Sequence, residues 1–168
     1  ESAAGLFEKL TAGISEQDEV SSIAREIAAG WSEIDALSAA NWARQASGSE
    51  SVQRDAVEAV ADRWVQSNFG EASEWIAGLP EGDVRNVATE RIVDHLSDVD
   101  PQAAVDWAGL VNDEEHQTDM LRHVFERWNE DNGAAARANF EATPMTPEQR
   151  EHVARGGLLR PFAQPAEV

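Results

Sequence analysis

The chain has 168 residues and 42% hydrophobic content, long enough to bury the core of one domain, and it has no cysteine, which excludes a disulfide framework and a thiolate metal site. Its 32 acidic residues stand against 13 basic ones, with Lys9 the only lysine. The resulting net charge of −19 repels nucleic-acid phosphate and anionic lipid, and no apolar run approaches the roughly 18 residues a membrane span needs.

In chain order, hydrophobic spacing predicts helices at about 3–12, 16–31, 36–46, 50–65, 69–79, 84–97, 101–111, 113–129 and 133–142. A short helix over about 147–155 follows, stopped by Gly156 and Gly157. Connections such as Leu79-Pro80-Glu81-Gly82-Asp83 are short and rich in helix breakers, and no stretch alternates with period two.

The helices come in pairs with a repeat. Trp31, Trp64, Leu96 and Trp128 end the second helix of each pair at steps of 33, 32 and 32. Trp42, Trp75, Trp107 and Phe140 mark the first helices at steps of 33, 32 and 33. Two interleaved series with one period predict a stacked helix-pair unit. Three, four, seven and eight residues before the second-helix residues lie Ala28, Ile27, Ala24 and Ile23; Ala61, Val60, Val57 and Ala56; Val93, Ile92, Thr89 and Ala88; and Phe125, Val124, Leu121 and Met120. All but Thr89 are apolar and share one helix face. The series residues Trp31, Trp42, Trp64, Trp75, Trp107, Trp128 and Phe140 are therefore expected in the structural core.

Start signals fit this register. Seven residues before each first-helix ring lie Asp35, Asn68, Asp100 and Gly133, with Pro101 following Asp100. Ser15 with Asp18, Asn112 with Glu115, and Thr146 with Pro147 and Gln149 read as caps of the other helices. The predicted fold is all-α, a short right-handed α-α superhelix of about four and a half repeats of 32–33 residues. It forms one domain over 1–168, with repeats at about 1–31, 32–64, 65–97, 98–129 and 130–157. In the tail, 158–168, the apolar Leu158, Leu159, Pro161 and Phe162 are expected to cap the open end, or to serve as a partner-binding peptide. Residue 1 is Glu, so an upstream signal or anchor would be invisible and the compartment stays open.

Catalytic signals are sparse. His116, Asp119 and His123 could share one helix face, but they have no third partner at a recognised metal spacing. A surface pair between Asp119 and His123 is the simpler expectation. No metal, cofactor or catalytic residue is expected, and a metal-dependent enzyme built on this helix is a weak alternative. One polar pattern follows the repeat: Arg63, His95 and Arg127 precede the second-helix residues, while Asn41, Glu74, Asp106 and Asn139 precede the first-helix rings. These rows either pair with each other, Arg63 with Glu74 or Asp106 with Arg127, or face a ligand.

The segment Asp100-Pro101-Gln102-Ala103-Ala104-Val105-Asp106-Trp107-Ala108-Gly109-Leu110 resembles the Ala/Trp-rich α-helical repeats of uncharacterised verrucomicrobial and planctomycete proteins. It is also similar to tetratricopeptide and HEAT-like α-solenoid repeats through Pro101, Trp107 and Leu110, although the tetratricopeptide Gly-x-x-Tyr continuation is missing. The resemblance implies a superhelix with a binding groove and no activity. The expected function is a non-enzymatic scaffold for a protein or peptide, basic by charge complementarity, with no nucleic acid and no membrane span. The alternative is a structural module that self-associates through its apolar ends, so monomer and homodimer both stay open.

Overall fold

The computed structural model describes residues 3–46 and 48–155, which form nine α-helices and no strand. They are α1 (Ala3–Thr11), α2 (Gln17–Ser32), α3 (Ala36–Ala43), α4 (Glu50–Ser67), α5 (Phe69–Ala77), α6 (Asp83–Val99), α7 (Pro101–Ala108), α8 (Glu114–Ala142) and α9 (Pro147–Ala154). No helix among the described residues is long and apolar enough to cross a membrane. The expected stop at Gly156 and Gly157, and the tail residues Leu158, Leu159, Pro161 and Phe162, lie outside the described residues. The chain divides into two compact units, residues 1–95 and 96–168.

One residue closes each long helix and opens the short one after it. Asp35, Asn68 and Asp100 donate their backbone N–H to the carbonyls of Trp31, Trp64 and Leu96 at 2.9, 2.8 and 2.7 Å. Their side chains then accept from the N–H of Ser38, Glu71 and Ala103 at 3.0, 3.3 and 3.1 Å. The backbone dihedrals recur as well: φ/ψ is −152/86° at Asp35, −151/81° at Asn68 and −152/77° at Asp100. Asp and Asn suit this turn because a short side-chain oxygen satisfies an N–H that the new helix leaves free.

The fourth such turn is Asn132, not Gly133. It has φ/ψ of −145/78° inside α8, and its side chain accepts from Ala135 N–H at 3.2 Å. The segments expected at about 113–129 and 133–142 are thus joined in one helix with a break at this residue. Counting back seven from Phe140 misplaces the cap because Phe140 sits eight residues after it, whereas Trp42, Trp75 and Trp107 sit seven after theirs.

That slip of one residue changes the packing. Four residues after each cap, Ala39, Ala72, Ala104 and Ala136 are fully buried. Eight residues after each cap, Ala43, Ile76 and Ala108 are also fully buried, and Phe140 occupies the same slot at 4% exposure. The indoles one position earlier, Trp42, Trp75 and Trp107, are half-buried, and in the last short segment that slot holds Asn139. Phe140 accordingly packs edge-on against Phe125 at 5.5 Å instead of facing Trp128. In the first unit, Trp31–Trp42 and Trp64–Trp75 face each other across the turn at 6.1 and 5.8 Å.

Of the sixteen face positions picked from the sequence, all are buried except Ile23 and Ile27, which are half-exposed; Thr89 keeps its place in the core at 2% exposure. Trp64 is buried, while Trp31 and Trp128 are half-buried. In the first unit, α2 packs on α4, with α3 against both. In the second, α7 and α9 both pack on α8. Two start signals move. The residue before α2 is Glu16, with no side-chain cap, so Ser15 and Asp18 do not form the expected box. Helix α8 is capped by Asp113, one residue after Asn112, through His116 N–H at 2.7 Å. Thr146 and Gln149 do form a reciprocal capping box at α9.

Candidate functional site

The second unit contains a groove of about 450 Å³ between α7 and the two halves of α8. Its size falls within the range of ligand clefts. Val105 and Leu121 form a buried apolar floor, and Leu110, 49% exposed, stands at the rim. The polar lining is Gln102 and Asp106 from α7, Gln117 from the first half of α8, and Asn139 and Thr143 from the second half. Asp100 and Asn132 set the starting points of the two short segments, which fixes the register of Asp106 and Asn139 on facing walls.

A hydrogen-bonded chain crosses the groove. Asn139 Nδ2 donates to Gln102 Oε1, and Gln102 Nε2 donates to Asp106 Oδ1 at 3.4 Å, while the Thr143 hydroxyl donates to the Asn139 carbonyl at 2.9 Å. Gln117 is committed to holding the fold. Its Nε2 donates to the carbonyls of Gly109 and Val111 at 3.3 and 3.0 Å, and its Oε1 accepts from the buried Gln149 at 2.9 Å. The same position of an earlier repeat behaves alike: Gln53 Nε2 donates to the Ala46 carbonyl at 3.2 Å. Both glutamines lie eleven residues before the tryptophan that ends their long segment, which is a signal the repeat register contains.

The two polar rows separate. Asp106, Asn41 and Glu74 are all exposed, and Asp106 lines the groove while Asn41 and Glu74 lie on α3 and α5. The expected partnership of Asp106 with Arg127 does not form. Arg127 instead pairs with Asp98, two residues past Leu96, in a polar cleft with Trp128 and Asp131. Arg63 occupies an equivalent cleft in the first unit beside Glu33, two residues past Trp31, and is not joined to Glu74. The reason is geometric. A side chain near the end of one long helix reaches the end of the neighbouring long helix, not the short helix that its spacing suggested. His95 stacks on Phe69 at 5.7 Å, so it does not continue the arginine row.

Elsewhere in the second unit, Asp119 finds its partners in His152 of α9 at 3.3 Å and Arg122 at 3.7 Å. His116 and His123 are half-exposed on α8, and no group of three or more His, Asp or Glu residues among those described is placed to hold a metal. Two carboxyls lie below their ordinary pKa range: Asp35 through hydrogen bonds from the Ser38 hydroxyl and N–H, and Glu151 through the Arg155 guanidinium. Both are exposed and lie at helix ends. Compared with known protein families, curated proteins and solved structures, the chain matches none.

Proposed function

We propose that this chain is a non-enzymatic scaffold, a short α-α superhelix of helix pairs whose α7–α8 groove holds an extended segment of a protein or peptide. The observation that carries the proposal is the groove's construction: an apolar floor of Val105 and Leu121 with an amide-bearing rim of Gln102 and Asn139. Amide side chains offer one acceptor and two donors each, matching the alternating C=O and N–H groups of an extended main chain. Apolar contact with the floor supplies area while the amides fix orientation. The recurring turn at Asp35, Asn68, Asp100 and Asn132 supports a repeat architecture, which suits holding a partner along a helical face. Architecture alone names no partner, so the proposal rests on the groove.

The test is titration of isotope-labelled protein with eight-residue peptides at up to millimolar concentration, following the side-chain amide signals of Gln102 and Asn139. Saturable shifts at both are expected. They should vanish in Ala142→Trp, which fills the groove from an exposed position and leaves the melting temperature nearly unchanged. Unmoved amides in the folded wild-type protein would refute the proposal.

A second arrangement is favoured by one feature. Leu6 and Leu10, one turn apart on α1, are 39% and 49% exposed and form an apolar stripe suited to a second copy. Light scattering that shows a dimer in wild-type protein and a monomer in Leu10→Glu would establish it; a wild-type monomer would dismiss it.

A further inference from the structure

We infer that Asp106 selects what the groove takes: an extended segment bearing one cationic side chain, arginine or lysine, between uncharged residues. The inference rests on the groove being a peptide site. Among the described residues, Asp106 is the one ionisable residue lining it, and none of those lining it is Lys, Arg or His. Both amide links point the same way, from Asn139 to Gln102 and from Gln102 to the Asp106 carboxylate, where they end. The two amides therefore lead to the carboxylate, with Gln102 Nε2 as its donor.

One amide at 3.4 Å leaves most of its capacity unused. An ionised carboxylate has about four acceptor sites and can take two parallel bonds from a guanidinium. Four other acids of this unit are paired with arginines: Asp98 with Arg127, Asp119 and Glu126 with Arg122, and Glu151 with Arg155. Asp106 is not. An anion held above an apolar floor is poorly served by a neutral occupant, because part of its water is displaced without a charge to replace it. A cationic side chain restores the balance. The net charge of −19 adds attraction at longer range for any cation, and that part is screened by salt.

The probes are four acetylated, amidated eight-residue peptides of alanine and serine with arginine, lysine, citrulline or glutamate at the centre. Each is titrated into wild-type protein and into Asp106→Asn at fixed salt, with the Gln102 and Asn139 amides as reporters. The arginine and lysine peptides should bind the wild-type protein about threefold to tenfold more tightly than the citrulline peptide, with glutamate weakest. In Asp106→Asn the difference should shrink below about twofold, while the citrulline peptide binds both proteins alike. The long-range field barely changes on removal of one charge in 19, so the variant isolates the local contact. If arginine and citrulline bind the wild-type protein equally, or if their difference survives in Asp106→Asn, the selection is disproved while the groove stands. If none of the four peptides moves the reporter amides, the groove itself is not a peptide site, and the selection falls with it.

Discussion

Replacing Trp64 with alanine tests whether the aromatic series holds the first unit together. Trp64 is 4% exposed at the end of α4, and its ring lies 5.8 Å from that of Trp75, tilted by 42°. A buried aromatic side chain removes about 150–250 Å² from water, which at about 25 cal/mol per Å² corresponds to roughly 4–6 kcal/mol. Large truncations of buried aromatics measure about 3–5 kcal/mol, so a loss of about 4 kcal/mol is expected. For the unit of residues 1–95 that holds it, this lowers the melting temperature by roughly 20 °C. Trp75 is half-buried, so Trp75→Ala should lose less, about 2–3 kcal/mol. The two rings touch, and the double variant should show a coupling of about 0.5–1.5 kcal/mol. Urea unfolding of the four proteins, followed by far-ultraviolet circular dichroism, measures all three quantities. The chain divides into two compact units, so the transition that shifts must be the one reporting residues 1–95. A loss below about 1 kcal/mol for Trp64→Ala would refute a structural role. Additive single losses would refute the pairing across the turn.

The turn itself predicts more. Asn132→Ala removes the acceptor for Ala135 N–H and should destabilise the second unit by about 1 kcal/mol, measured by urea unfolding, whereas Gly133→Ala should leave that cap intact. The Asp35 carboxyl is held below its unfolded value by the Ser38 hydroxyl and N–H, so its contribution is fully present above about pH 4. It is lost as the pH falls through the lower folded value. In a urea series from pH 6 to pH 2, Asp35→Asn should therefore flatten the acid limb while keeping the cap; an unchanged limb would contradict this.

Most of the helices could be placed from the sequence because their causes are local. The spacing of Val57, Val60, Ala61 and Trp64 depends only on the helical period, and the cap at Asp100 depends only on its next three residues. The all-helical class and the boundaries within a few residues follow from such short-range rules. Where local signals compete, the choice went to geometry: Asn132 over Gly133, and Asp113 over Asn112. In both cases the chosen residue's side-chain oxygen accepts from a specific N–H, that of Ala135 for Asn132 and that of His116 for Asp113.

The tertiary structure decided who meets whom. That Phe140 enters the core slot and leaves Asn139 in the place of an indole follows from one residue of slippage, invisible in a periodic count. The assignment of Arg127 to Asp98, and of Gln102 to Asn139, joins residues 29 and 37 positions apart. No local rule contains those separations, because they depend on how neighbouring helices abut. Asp106 was visible in the repeat as a polar residue beside a ring. Only the packing of α7 on α8 put an apolar floor beneath it, an amide beside it and, among the described residues, no cation in the groove lining.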